Sequence, residues 1–326
     1  GGNMGANTAK PPLGIRVLKA LGKEPDWLTM TTEQLIAFRE AENRKRASRL
    51  GRVITGCPDR GAAIQWQEVV LPGRNLPVRV YRPSRSGRDP LPLVLHVHGG
   101  GFVGTAVQSD WVNSHLATRL PAVVVSVEHR LLDPDSPLSA AVDDAWDMLR
   151  HVVGHAAQWG IDPARIAVFG ESTGSMITAL TAILARDSGL PLRAQVLVNP
   201  VVDLSPAGFE HASMRQHAHS PTLSVSYMRL LQRLAIPQGT DPRAMSPLGA
   251  EDLSGLAPAL VVVAPIDPLA DHGRCYAERL RAAGTPARLT EHPGATHAFL
   301  SMPGAVPQAK AARAEIVEYL RGLLAG

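Results

Sequence analysis

The sequence predicts an α/β fold, a mostly parallel eight-stranded sheet with helices on both faces and a helical cap. Three observations predict it. From about residue 66, short β-branched runs alternate with longer segments whose apolar residues recur at helical spacing, the pattern of strands joined by crossover helices. At 326 residues the chain is long enough to bury one large core. Two segments, one at the start and one late in the chain, break the alternation and read as additions to the sheet.

The strand candidates, in order, are WQEVVL (66–71), VRVYR (78–82), LVLHVH (93–98), AVVVSV (122–127), RIAVF (165–169), AQVLVN (194–199), ALVVVA (259–264) and ARLTEH (287–292). Helical patterns lie between and after them at 139–158, 173–187, 270–283 and 307–324, the last with Ile316, Tyr319, Leu320 and Leu323 along one stripe. Residues 1–60 contain TTEQLIAFREAENRKRASRL, a helix that Thr31 or Thr32 can cap, with no strand ahead of it. Residues 203–250 are rich in His, Ser, Pro and Met and turn helical at SVSYMRLLQRLA, an excursion over one face of the core. The expected division is therefore 1–60 as an N-terminal cap segment, 61–202 with 251–326 as the core, and 203–250 as a cap insertion. The sequence holds no internal repeat and no low-complexity tract.

Composition narrows the function classes. With 45% hydrophobic and 19% charged residues the chain is a compact globular protein and not a disordered or coiled-coil one. The net charge of +4 is modest and scattered. Its densest basic cluster, Arg44, Lys45, Arg46 and Arg49, points to several faces of a helix and reads as solvated surface; no aromatic platform accompanies it, so nucleic acid is not an expected partner. Cys57 and Cys275 lack metal-type spacing and cannot make a disulfide framework, which fits a reducing compartment. GGNMGANTAKPPLG has no apolar core of signal-peptide length, and no window reaches the 18 or so apolar residues of a membrane span. The expectation is a cytoplasmic protein, its first few residues a remnant of expression.

The candidate chemistry begins at Gly170-Glu171-Ser172-Thr173-Gly174, where a strand turns sharply into a helix. Glycines two before and two after Ser172 let that turn pack against neighbouring backbone. Upstream, His98-Gly99-Gly100-Gly101-Phe102 ends a strand with three glycines that free the backbone to aim N–H groups at a pocket. No lysine follows them as a phosphate loop requires. The expected oxyanion donors are the amides of Gly99, Gly100 and Thr173, with His98, Gly101 and Glu171 supporting them. A serine hydroxyl needs a base, and ligands gather beyond the carboxyl ends of parallel strands. His297, in HPGATHAFLSMPG after the last strand, is preferred over His292 at the strand end itself. Asp267, in the turn of VVVAPIDPLAD, is preferred as its partner, with Asp271 expected to cap the following helix. Ser172, Asp267 and His297 stand in the chain order of α/β-hydrolase triads.

Other candidates have plainer readings. His211, His217 and His219 lie close together without a carboxylate motif, so no metal site is expected. Trp111, Trp146 and Trp159 sit in helical patterns and read as core, and Glu128 and Arg130 read as structural ion pairs.

The stretches HVHGGGFVGT, VVVSVEHRLLDPDSPLSAAVDDAW, RIAVFGESTGS, MSPLGAEDLSGLAPALVVVAPIDPLADHG and HPGATHAFLSMPG together make the chain resemble the hormone-sensitive-lipase-like family of α/β-hydrolases, in its bacterial esterase branch. The resemblance spans most of 66–324. It implies a serine esterase acting on short-acyl or small aromatic esters, a cap built from the N-terminal segment and a later insertion, and no cofactor. A small-molecule ester is then the expected partner, and a homodimer stays open. The departures are Glu171 and Thr173 where the family usually has Asp and Ala, His129 where it usually has Tyr, and Ala298 where it prefers Gly. Thr173 keeps its N–H but is expected to crowd the acyl pocket. Two other readings remain open at this point: an acyltransferase or tailoring hydrolase acting on a specialised metabolite, and a non-catalytic small-molecule receptor on an esterase scaffold.

Overall fold

The structure, a computed structural model, describes residues 10–85 and 87–326. The expectation about the first few residues lies outside the described residues. Along the chain the strands are β1 (Ala62–Leu71), β2 (Arg74–Pro83), β3 (Leu91–Val97), β4 (Val123–Val127), β5 (Ile161–Glu171), β6 (Ala194–Val198), a small separate hairpin of β7 (His219–Ser220) and β8 (Leu223–Ser224), then β9 (Ala259–Val263) and β10 (Ala287–Glu291). The helices are α1 (Leu13–Leu21), α2 (Thr32–Ala47), α3 (Arg52–Thr55), α4 (Asp110–Arg119), α5 (Leu138–Gly154), α6 (Ala156–Trp159), α7 (Thr173–Asp187), α8 (Ala212–Gln216), α9 (Val225–Ala235), α10 (Ala270–Ala282) and α11 (Gln308–Leu324).

Each of the eight strand candidates falls on a strand of one sheet, ordered β1-β2-β4-β3-β5-β6-β9-β10, in which β2 alone runs against the others. Alternate residues of a strand point to opposite faces. Val124, Ala167, Val196 and Leu260 accordingly pack with α4 and α11 through Val112, Leu116, Ile316 and Leu320. Val123, Val125 and Val168 pack on the other face with Met148, Leu149 and Val152 of α5, and Val261 and Val263 with Tyr276 and Leu280 of α10. Both faces are covered, which is why these strands read as continuous apolar runs.

Differences from the sequence expectation have local causes. The 139–158 pattern divides at His155, whose φ of −122° and ψ of 37° leave the helical region after Gly154. Helix α4 escaped the periodicity because Asp110, Asn113 and Ser114 are buried beside Val112, Leu116 and Ala117. At the start of α2 it is Thr31 that caps: its hydroxyl accepts Gln34 N at 3.1 Å and Gln34 Oε1 accepts Thr31 N at 2.9 Å, while Thr32 is already helical. Arg46 departs from the solvated reading, donating to Gln108 Oε1 at 2.9 Å. Trp159 is buried, whereas Trp111 and Trp146 lie at the rim of the core beneath Arg313 and Arg150.

The topology positions one crevice. After β3 the chain places β4 on one side of it and β5 on the other. Connections that leave adjacent parallel strands in opposite directions open a gap beyond their carboxyl ends. The glycine run follows β3 and Ser172 follows β5. Trp27 and Leu35 from the N-terminal segment and Leu223, Met228 and Leu231 from the insertion share one apolar cluster with Phe102, Leu132, Met176 and Leu269 beside that gap.

Candidate active site

Ser172 has φ 56° and ψ −122°, a conformation that costs a non-glycine residue roughly 1–3 kcal/mol. It is held there by close packing. A side chain on Gly174 would lie 2.2 Å from the Val97 carbonyl oxygen, and one on Gly170 would lie 2.3 Å from that of Gly174. Ser172 N donates to Val198 O at 2.8 Å, and Ser175 Oγ donates to Gly170 O at 2.7 Å, tying the turn to β6 and to its own strand.

The structure brings three of the expected residues into one relay. Ser172 Oγ lies 2.6 Å from His297 Nε2, and His297 Nδ1 lies 2.8 Å from Asp267 Oδ2. Their proximity follows from a bridge: Ile266 pairs in parallel with Thr296, so the next residue on each segment, Asp267 and His297, emerges beside the other. Asp267 is fully buried and its second oxygen accepts Leu269 N at 2.9 Å. The rivals are engaged elsewhere. Asp271 is not the helix cap expected from the sequence; Leu269 occupies that position, and Asp271 lies in the first turn of α10, accepting Ser213 N at 2.9 Å and pairing with Arg274 at 3.0 Å. His292 Nε2 faces Glu315 at 3.4 Å.

Among the described residues the N–H groups of Gly99, Gly100 and Thr173 have no hydrogen-bond acceptor. Gly99 packs so tightly on the Ser172 turn that a side chain there would come within 2.9 Å of Glu171 O. Gly100 adopts φ 112°, open only to glycine, and turns its carbonyl inward to accept Phe102 N at 2.7 Å. His98 supports this loop from beneath, its Nδ1 2.9 Å from Gly99 O and its Nε2 3.0 Å from Glu128 Oε1. His129 stacks on the His98 ring at 4.2 Å, and burial, followed by that neighbouring ring, pulls its pKa down to about 4. Arg130 turns away to Asp144 at 3.0 Å. Glu128, read from sequence as an ordinary ion pair, also accepts Thr105 Oγ1 at 3.0 Å and so holds the glycine loop at two points.

Glu171 is the centre of a second buried network. Its Oε2 accepts His96 Nε2 at 2.8 Å and Ser109 Oγ at 3.0 Å, and its Oε1 accepts Ser301 Oγ at 2.9 Å. These donors come from β3, from the start of α4 and from the turn after His297, so one carboxylate ties the Ser172 turn to both neighbouring loops. Burial alone would raise its pKa; the bonds from His96, Ser301 and Ser109 hold it below the ordinary carboxylate value. Burial depresses the His96 pKa against the pull of Glu171. With Asn113 Nδ2 and Ser126 Oγ both against Nδ1, the single proton of the neutral ring sits on Nε2. Ser109, Ser301 and His96 carry no motif of their own.

Beside Ser172 lies an apolar pocket walled by Leu132, Met176, Leu204, Met228 and Leu231, with Thr173 the polar exception next to the serine. Its atom-free space is about 380 Å³ including the mouth. No helix among the described residues is long and apolar enough to cross a membrane.

Comparison with known proteins gives concordant results. A family model described as the alpha/beta hydrolase fold matches residues 94–301. The carboxylesterase NlhH of Mycobacterium tuberculosis is 41% identical over 246 residues, covering 72% of this chain and 74% of its own. The ethyl acetate hydrolase of Pseudomonas putida is 34% identical over 296 residues, covering 87% and 91%. Among solved structures, the ester hydrolase EH1AB1 from the metagenome of Lake Arreo superposes with a TM-score of 0.85 at 30% identity, over 96% of this chain and 98% of its own.

Proposed function

The chain belongs to the hormone-sensitive-lipase-like esterases of the alpha/beta hydrolase fold and is a carboxylic ester hydrolase, and from that premise we propose that it cleaves small, short-acyl esters through an acyl-enzyme on Ser172. His297 Nε2 takes the Ser172 proton as Oγ attacks the ester carbonyl, and returns it to the departing alcohol. Water, deprotonated by the same nitrogen, then releases the acid and restores the serine. Asp267 keeps the proton of neutral His297 on Nδ1 and stabilises the imidazolium formed in each step. The N–H groups of Gly99, Gly100 and Thr173 face the oxygen that becomes negative, each donor contributing about 3 kcal/mol of barrier lowering. The observation that carries the reading is the unbroken relay from Ser172 to His297 to Asp267 at 2.6 Å and 2.8 Å.

Residues 1–60 and 203–250 act in this reading as the two halves of a cap over 61–202 and 251–326. The narrowness of the pocket and the small substrate in the name of the Pseudomonas putida relative both support a short acyl group. Cys57 and Cys275, both free, accord with a cytoplasmic setting. The test is a series of p-nitrophenyl esters from acetate to decanoate, run on the wild type and on Ser172→Ala. A maximum at two to four carbons and loss of turnover in the variant are expected. Turnover by Ser172→Ala at the wild-type rate would overturn the mechanism, and a maximum at eight carbons or more would overturn the short-acyl assignment.

A further inference from the structure

Three successive glycines give a loop the freedom to aim its amides at an oxyanion and the same freedom to lose that aim. The question is what holds the loop still. Its carbonyl groups answer it: the Gly99 C=O, which shares a peptide plane with the Gly100 N–H, and the Gly100 C=O, which begins the next plane, are each reached by a chain of contacts that begins in a different half of the cap.

For Gly99 the chain starts on α2. Arg46 donates to Gln108 Oε1 at 2.9 Å, and Gln108 Nε2 donates to Gly99 O at 3.2 Å. Asn43, also on α2, accepts Gly104 N at 2.9 Å at the far end of the loop. For Gly100 it starts on α9. Tyr227 Oη donates to Gly100 O at 2.9 Å, with the amides of Phe102 and Val103 close to the same buried hydroxyl. Burial keeps this phenol well above its ordinary pKa, and hence a neutral donor. The ring is locked by the N-terminal segment: Trp27 packs on it at 4.8 Å and meets Phe38 edge-on at 5.0 Å. Glu24 closes the arrangement by accepting Trp27 Nε1 at 2.8 Å and the hydroxyl of Ser224, which in turn caps α9 by accepting Tyr227 N at 3.1 Å.

We propose that Tyr227 is a positioning residue for ester hydrolysis, its hydroxyl holding the Gly100 carbonyl and so fixing the peptide plane that follows Gly100, which restrains the preceding plane, keeps its Gly100 N–H aimed at the oxyanion and makes transition-state stabilisation depend on the seating of the cap. The proposal rests on the oxyanion assignment above. Substrate need not touch Tyr227; the residue acts through the loop. Both steps of the reaction pass through an oxyanion, so both slow together when the loop loosens. A contact with the acyl chain alone would alter KM and the chain-length preference instead.

The experiment is Tyr227→Phe, which removes one oxygen and keeps the ring against Trp27. Removing an oxyanion donor outright costs about 100- to 1000-fold in kcat, and loosening one is expected to cost about 10- to 100-fold. The expected result is that fall in kcat for p-nitrophenyl acetate and butyrate alike, KM within about twofold, and phosphonylation of Ser172 by a fluorophosphonate slowed by a similar factor. Should this variant fold poorly, Gln108→Met removes the bond that links Gly99 O to the other half of the cap, leaving that of His98, and is expected to show the same split at smaller size. Unchanged kcat in Tyr227→Phe with full folding overturns the proposal, and so does a rise in KM alone. Ser172→Ala measured beside it separates the two readings: if Ser172→Ala is dead while Tyr227→Phe is fully active, only the role of Tyr227 falls.

Discussion

His272 makes the acid stability of this protein calculable at one residue. It is fully buried at the start of α10, its Nδ1 accepting Val202 N at 3.1 Å and its Nε2–H donating to Gly208 O at 2.7 Å. A second proton would set Nδ1–H against the Val202 N–H, donor against donor. Burial is the dominant cause and pulls the pKa to about 4, with the Gly208 carbonyl pulling weakly the other way. The unfolded chain has a histidine pKa of about 6.5, so the folded value is the depressed one. As pH falls through 6.5 the unfolded state binds a proton that the folded state refuses, and stability falls until pH reaches about 4. Between pH 7 and pH 5 that difference removes about 2 kcal/mol. His272→Asn abolishes the titration. It can still accept Val202 N but leaves Gly208 O unpaired, at a cost of about 1–3 kcal/mol at pH 7. Urea unfolding of both proteins at pH 7 and pH 5 reads the gap between them, and every other histidine cancels in the comparison. The gap is expected to close by about 2 kcal/mol at the lower pH. A gap that stays constant or widens refutes the reasoning.

Glu171→Gln leaves three donors facing a neutral group that has one acceptor oxygen, and is expected to cost about 1–3 kcal/mol, the loss of charge-assisted bonds being partly offset by no longer burying a charge. Because the Glu171 pKa is depressed, the stabilisation it provides is present above the ordinary carboxylate pKa and lost as pH falls through the folded value. Thermal melts should therefore separate wild type and variant at pH 7 and converge in acid, with kcat down about tenfold; equal melting temperatures at pH 7 would remove Glu171 from the account. Ala298 sits at φ 65°, in the left-handed region where a Cβ costs about 1 kcal/mol. Ala298→Gly is expected to raise the urea midpoint slightly, and a lowered midpoint would mean that the turn after His297 is not strained.

The legibility of the fold follows from which interactions are local. The central strands could be read because both faces of the sheet are covered there, and stretches such as Val123–Val127 are buried at every position. Helix α4 could not, since its inward face carries Asp110, held by Arg79 at 2.7 Å and by Arg52 at 2.8 Å, an ionic cluster assembled from three distant segments. The break at His155 is equally silent, because the apolar spacing continues across it into Trp159.

The site divides along the same line. Ser172, Asp267 and His297 could be singled out because few residue types perform their chemistry, and because strand ends leave few places for them. The glycines were legible for a steric reason: at Gly100 an added Cβ would lie 1.4 Å from the Val103 carbonyl oxygen, so no other residue is possible there. The groups that hold these parts together are Ser109, Ser301, Gln108, Asn43 and Tyr227, common residues whose meaning is supplied by what lies opposite them. Asn43 and Arg46 of α2 reach the loop and Gln108, and α2 shares one apolar cluster, through Leu35 and through Trp27 just ahead of it, with Met228 and Leu231 of the insertion. Apolar packing between two segments some 190 residues apart in the chain thus determines where two glycine carbonyls are held. A constellation of this kind is specified twice, once by residue chemistry that a sequence displays and once by packing that only the assembled fold reveals.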